Sequence, residues 1–399
     1  MKSYMPASSR IQTQPTSLAL FCQVVDNFGD IGICWRLSRQ LQGEHGVNVT
    51  LWVDDLASFQ RICPDLDASA NVQVQDGVTV RHWRDQDGVF VAADVADIVI
   101  EFFGCSIPPG YITAMAARDP RAVWLNLEGL SAEVWVEGCH TLPSSHPRLP
   151  LTKYFFFPGF TRATGGLLHE ASLQAECRQF QSDPAAMAAF FAQLGVTVAE
   201  AAALRVSLFC YQHAPVAALF DAWQCGDMPV TCLVPEGVAL EATAAFLGAP
   251  ATPGAARTRG ALTVRVLPFV AQQDYDRLLW ACDLNFVRGE DSFVRAQWAG
   301  RPFVWHIYPQ DENLHHVKLQ AFLSRYAGGA SLDAFSIGWN GAGAAAAVWP
   351  VDWPVLWRQL HADLPAIARR TAEWQRQMLE NGDLASNLLK FAVSRRLET

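Results

Sequence analysis

Apolar residues follow two rhythms along this chain. Short unbroken runs, SLALFCQVV from Ser17, then VNVTLWVDD, VTVRHW, ADIVIEFFG and RAVWLNLEG, carry the Val, Ile and aromatic content of strands. Between runs lie helix-like stretches such as 32–43, where Trp35, Leu37 and Leu41 alternate with Arg36 and Arg39. This order predicts a mainly parallel sheet covered by helices. A Pro-rich passage follows, LPSSHPRLPLTKYFFFPGF, then TGGLLHE, with the punctuation of an interdomain region or functional loop. The rhythm restarts with RVSLFCYQ, MPVTCLVPEG, LTVRVLPFV, CDLNFVRG and RPFVWHIY, some of them separated by Ala-rich helical stretches at 184–203 and 240–247. GGASLDAFSIGWNGAGAAAAVW reads as an irregular surface stretch. A final helix is expected from about Trp353 onward, punctuated at Pro365.

Two Rossmann-like α/β domains facing across a cleft are therefore expected, over residues 17–175 and 180–365. The terminal helix, about 368–396, is expected to pack back on the first. Ligands of such sheets bind beyond the carboxyl ends of the strands. The chain has 399 residues, enough for two substantial cores, with 51% hydrophobic and 17% charged residues. Its net charge of −9 argues against broad nucleic-acid binding and is compatible with a basic protein partner. The ten cysteines show no CxxC pair and mostly lie in apolar runs, as Cys22, Cys34, Cys210 and Cys282 do, so buried free thiols are expected. No signal-peptide centre and no membrane-length apolar run occurs. The expectation is a soluble, cytoplasmic protein.

The first strand runs into DNFGDIG, residues 26–32, before a helix. Such a joint usually invites phosphate. Here Asp26 and Asp30 would repel it. Two readings stand: Asp30 caps the helix and Asp26 closes the turn, or the pair holds a cation. RGEDS, Arg288–Ser292, lies at a second strand–helix joint. It reads either as a diphosphate site built on Arg288, Gly289 and Ser292, or as an ordinary acidic helix start. Phe209, Tyr211, Phe269 and Tyr275 cluster near strand ends; they suit a nucleobase, though aromatics there are more often core. Tyr308 and the turn PQDEN precede a helix with His315 and His316, which point to different faces and make a poor metal pair. The DxD spacings at Asp65–Asp67 and Asp85–Asp87 read as solvated loop charge, so no metal is expected. G-x-G-x-x-G after Val25, a Walker loop and a G-x-S-x-G elbow are all missing.

DNFGDIGICWRLSRQL, WLNLEGLSAE, KYFFFPGFTRATGGLLHE and RGEDSFVRAQWAGRPFVWHIYPQDENLHHVKLQAFL together resemble one family, the protein-arginine rhamnosyltransferases that modify translation elongation factor P. The likeness spans nearly the whole chain. It implies a GT-B glycosyltransferase fold, with an N-terminal acceptor domain and a C-terminal domain holding dTDP-β-L-rhamnose as donor. It implies inversion at the anomeric carbon, no cofactor and no metal, and a role in rescuing ribosomes stalled at proline runs. Position by position, Asp30 matches the general base and Asp26 its neighbouring carboxylate. Glu290 matches a required glutamate, and Arg288, Asp291 and Ser292 match positions around the donor diphosphate. Phe209, Tyr211, Phe269, Gln272, Tyr275 and Tyr308 match the nucleotide pocket. Tyr275 stands where Phe is expected, and Gly129 where an aromatic is expected.

A cationic acceptor explains the acid in DNFGDIG. Guanidinium is planar, charged and a poor nucleophile until a proton is lost. One carboxylate can fix it by a forked hydrogen bond while a second takes the proton as the C–N bond forms. Two alternatives are carried forward: a GT-B glycosyltransferase with another sugar or acceptor, and an inactive nucleotide-sugar-binding protein.

Overall fold

Strand β1 (Ser17–Cys22) shows why its apolar run is unbroken. Leu18, Leu20 and Cys22 enter one core, while Ala19 and Phe21 enter a second on the opposite face of the sheet. A strand covered on both faces has no solvent side to mark with polar residues. The computed structural model describes residues 16–26, 28–84, 88–341 and 351–396.

The first sheet contains β1, β2 (Asn48–Val53), β3 (Val72–Gln75), β4 (Val78–His82), β5 (Ile98–Phe102), β6 (Val123–Leu127), β7 (Pro143–Ser145) and β8 (Thr152–Phe156). Their order is β3-β4-β2-β1-β5-β6-β8-β7, parallel except for the β3–β4 and β7–β8 pairs at the edges. The second sheet contains β9 (Leu204–Leu208), β10 (Val230–Pro235), β11 (Ala256–Arg259), β12 (Leu262–Leu267), β13 (Leu284–Arg288) and β14 (Phe303–His306). Its order is β11-β12-β10-β9-β13-β14, parallel except for β11. The expected α/β architecture of two sheets with helices is present.

Strand order reverses once in each sheet, beside β1 in the first and beside β9 in the second. Connections leave in opposite directions at such a point and open a crevice beyond the strand ends. DNFGDIG follows β1, and the segment after β9 begins at Phe209. RGEDS begins at the end of β13, the strand beside β9. Both motifs therefore lie at the crevices, and the crevices face each other.

Three expectations differ from the structure. The Pro-rich passage contains β7 and β8, because its prolines flank or open the strands at the sheet edge, where a missing N–H costs no ladder bond. The small-residue stretch contains a helix, Ala330–Trp339, which buries Leu332, Phe335 and Trp339; residues 342–350 lie outside the described residues. The terminal helix is two helices, Trp353–Leu379, which runs through Pro365, and Leu384–Arg396. The break falls at Gly382, whose φ of 77° only glycine adopts freely. Trp357, Leu360, Ile367 and Trp374 of the first helix join the core of the second sheet. Leu384, Ala385, Leu388 and Ala392 of the second join the core of the first. The return to the first domain thus begins at Leu384 rather than near residue 368. All ten cysteines are free thiols, and no described helix is long and apolar enough to cross a membrane.

Candidate active site

The turn after β1 folds on its own carboxylates. Asp30, in the first turn of helix α1 (Gly29–His45), accepts the backbone N–H groups of Val25 and Asp26 through Oδ2, at 2.8 and 2.9 Å. Asp30 therefore braces the turn behind it instead of capping the helix ahead, whose N-cap is Phe28. The expected cap is thus not made, and the bracing occupies one oxygen. The other, Oδ1, has no hydrogen-bond partner among the described residues. Asp30 is only 5% exposed. Burial raises its pKa above the usual carboxylate range, partly opposed by the two N–H bonds, so it is a stronger base than a free aspartate.

Asp26 reaches across the cleft. Its Oδ2 accepts the Tyr211 hydroxyl at 2.9 Å, which joins the two motif-bearing crevices directly. The glycines of the motif make room for this approach. A methyl group at Gly29 would lie 2.9 Å from Asp26 Oδ2, and one at Gly32 would lie 3.3 Å from Asp291 Oδ2. Gly289 of RGEDS has φ 60° and would press on both Asp26 and Tyr211 if substituted. Gly29 therefore leaves room for Asp26 within the turn, and Gly32 for Asp291 and Gln272 of the second domain.

Glu290 is the N-cap residue of the Asp291–Ala299 helix, and its carboxylate leaves the helix for the first domain. Oε2 accepts the Leu130 N–H at 2.9 Å. Burial pushes its pKa up to about 7, with Asp30 and Asp26 adding to the rise and the Leu130 bond and Lys318 opposing it. Gly129 is part of this fit: a methyl group there would lie 3.1 Å from Glu290 Oε1. A side chain at this position would crowd the space Glu290 occupies.

A cavity of about 350 Å³ lies between the domains, lined by Asp26, Phe28, Arg61, Phe209, Phe269, Gln272, Tyr275, Arg288, Asp291 and Ser292 among others. The guanidinium of Arg288 lies 4.5 Å from the Phe209 ring centre and 4.8 Å from that of Tyr211. It also donates to the Cys210 carbonyl at 3.3 Å. Arg61, which the sequence reading passed over, lies 5.1 Å from the Phe269 ring centre, with Phe28 edge-on to that ring. Two cations and several flat apolar walls suit an aromatic base carrying a diphosphate. Ser292 exchanges hydrogen bonds with the backbone of Arg288 and fixes the turn. Tyr308 is 46% exposed and meets Tyr211 edge-on at 5.5 Å; both were expected in the nucleotide pocket, and neither lines this cavity.

Asp291 lines the cavity, but its carboxylate pairs with Arg36 at 3.0 Å. Arg36 is 4% exposed and also forks onto Asp276, at 3.0 and 3.1 Å. Arg295 grips the same Asp276 from the second domain, at 2.9 and 2.7 Å, and also reaches Glu170. Gln272 ties the cluster to the first domain by donating to the Gly32 carbonyl at 3.0 Å. This buried network locks helix α1, and with it Asp30, to helices of the second domain. Arg36 was legible only as the polar face of an amphipathic helix, because its hydrogen-bond partners lie more than 200 positions away.

The other candidates separate from this site. Asp67 bonds Ser69 and Gln73 in a local turn, and Asp85–Asp87 lie outside the described residues. His315 accepts the Gln310 N–H and His316 contacts the Asn340 carbonyl, so each has its own structural partner.

The model for the "Elongation-Factor P (EF-P) rhamnosyltransferase EarP" family matches residues 18–393. A protein-arginine rhamnosyltransferase of Pseudomonas putida is 49% identical over 93% of this chain and 97% of its own length. One from Pseudomonas aeruginosa is 47% identical over the same shares, and one from Shewanella oneidensis 39% identical over 93% and 96%. The solved structure described as "Structural basis for EarP-mediated arginine glycosylation of translation elongation factor EF-P" superposes with a TM-score of 0.64. It shares 35% identity and covers 95% of this chain and 99% of that one. The spinosyn rhamnosyltransferase SpnG, at TM-score 0.51 and 13% identity over 96% and 100%, shares the fold alone. The fold is GT-B, and the chain belongs to the EF-P rhamnosyltransferase family, the protein-arginine rhamnosyltransferases.

Proposed function

We propose that this protein transfers L-rhamnose from dTDP-β-L-rhamnose to an arginine side chain of translation elongation factor P, with inversion at the anomeric carbon. The observation that carries the reading is the placement of Asp26, Asp30 and Glu290 at one junction of the two domains, beside a cavity lined by Arg288 and aromatic rings. Three carboxylates there suit a cation, and the adjoining cavity suits an anion.

The chemistry follows from that separation of charge. The acceptor guanidinium is held by carboxylates, which keep its attacking nitrogen in place. Asp30 uses Oδ2 to hold the turn and takes the proton with Oδ1 as the C–N bond forms. Asp26, fixed by Tyr211, orients the guanidinium. Negative charge grows on the departing diphosphate, where Arg288 and the start of the Asp291–Ala299 helix stabilise it. Such a product would activate the factor for ribosomes stalled at proline runs, a cytoplasmic task.

Intact-mass analysis of elongation factor P mixed with this protein and dTDP-rhamnose tests the reading. One added deoxyhexose, lost when the acceptor arginine becomes Lys, is expected. An unchanged mass points to another sugar or acceptor, or to a binding protein. Arg288→Ala is expected to weaken dTDP-rhamnose binding by roughly tenfold in calorimetry; an unchanged Kd rejects the diphosphate placement.

A further inference from the structure

Phe103 stands directly after β5, the strand that neighbours β1 at the reversal of the first sheet. Its φ is 54°, a left-handed conformation that a bulky residue adopts only under constraint. The constraint is visible. The Phe103 N–H donates to the Leu127 carbonyl at 2.9 Å, and the Gly104 N–H donates to Asn126 Oδ1 at 2.9 Å. The ring stacks on buried Phe102, with centroids 3.9 Å apart, yet Phe103 remains 41% exposed. A lone exposed aromatic is ordinary. One held by a left-handed backbone is not, because stacking one face on Phe102 leaves the other face presented at the expense of backbone strain.

What it is presented to can be read from its neighbours. A methyl group built on Gly129 would lie 3.5 Å from the Phe103 ring and 3.1 Å from Glu290 Oε1, so ring and carboxylate border the same glycine. Glu128, next in the chain, is held by Asn126 Nδ2 at 2.6 Å. Asn126 thus braces both the Phe103–Gly104 turn and Glu128. An aromatic face beside carboxylates binds a guanidinium and its aliphatic stem together, through the ring quadrupole and apolar contact.

We infer that the ring of Phe103 is the stacking wall for the acceptor's arginine side chain, with Glu290 at its edge, and that it determines acceptor affinity rather than donor affinity. The inference rests on the arginine-acceptor reading above and adds the residue that grips the acceptor. Phe103 takes no part in proton transfer.

The test is steady-state kinetics of the full chain with elongation factor P and dTDP-rhamnose, beside calorimetry with thymidine diphosphate. Phe103→Gly relieves the backbone and removes the ring together with its stacking on Phe102. It is expected to raise the acceptor KM roughly tenfold, leave the diphosphate Kd within about twofold, and not lower the melting temperature. Phe103→Tyr, which restores a ring, is expected to return KM to near the wild-type value. An unchanged KM in Phe103→Gly overturns the inference alone. A parallel loss of diphosphate affinity, or failure of Tyr to rescue, also overturns it by assigning the ring a structural role. A wild-type protein that leaves the factor unmodified removes the underlying reading, and the inference with it.

Discussion

Asp30→Asn is expected to lower kcat by about a hundredfold or more while leaving the fold and the thymidine diphosphate Kd unchanged. The substitution is unusually clean at this position. Asn can still accept the Val25 and Asp26 N–H groups through its carbonyl oxygen, as Asp30 Oδ2 does at 2.8 and 2.9 Å. Where Oδ1 stood as a proton acceptor there is now an NH₂ group, a donor. The turn survives and basicity is lost. Single-turnover mixing of donor-loaded protein with elongation factor P separates the chemical step from binding. Turnover within a few-fold of wild type would mean that the attacking nitrogen loses its proton elsewhere.

Glu290→Gln is expected to act on stability and activity with opposite signs. Glu290 titrates at about 7 in the folded protein, against an ordinary value of 4.5. Between these values the folded state binds more protons than the unfolded state, so its stability falls as pH rises through that window. A neutral Gln retains an acceptor for the Leu130 N–H and removes a charge that Asp30 and Asp26 oppose. The variant should melt higher than wild type at neutral and alkaline pH, and the difference should shrink toward acid. Catalysis should fall by about a hundredfold, as when a group that stabilises charge in a water-poor site is removed. In wild type, the acid limb of kcat/KM should lie near pH 7, the value for the free protein, and that of kcat should lie lower because a bound cation favours the carboxylate. A melting temperature that drops with the substitution at high pH would show that Glu290 is a structural anion.

The chain's rhythm made the sheets legible, since strands buried on both faces leave long apolar runs. DNFGDIG and RGEDS were legible as strand–helix joints, and the acid in the first as unsuited to phosphate. What their glycines do was not legible. Gly29 and Gly32 matter because Asp26 and Asp291 crowd them, and Asp291 belongs to the other domain. Likewise the contact of Glu290 with Leu130 spans 160 positions, and that of Asp26 with Tyr211 spans 185. Local pattern carries no record of such pairings. Gly129 illustrates the point: in the sequence it is only a missing aromatic, whereas in the fold it is the space beneath Glu290. The edge strand β7 and its neighbour β8 were hidden for a different reason, because a proline permitted at a sheet edge and prolines flanking a strand resemble the prolines of a loop.

The placement of a positively charged side chain among Asp26, Asp30 and Glu290 is most directly measured as a proton count. Elongation factor P is titrated into thymidine diphosphate-loaded protein near pH 7 in two buffers of different ionisation enthalpy. Bringing the arginine beside a half-protonated Glu290 should release about half a proton, and Glu290→Gln should release none. Binding with no proton released, or with equal release from the variant, would contradict the placement of the arginine in this pocket.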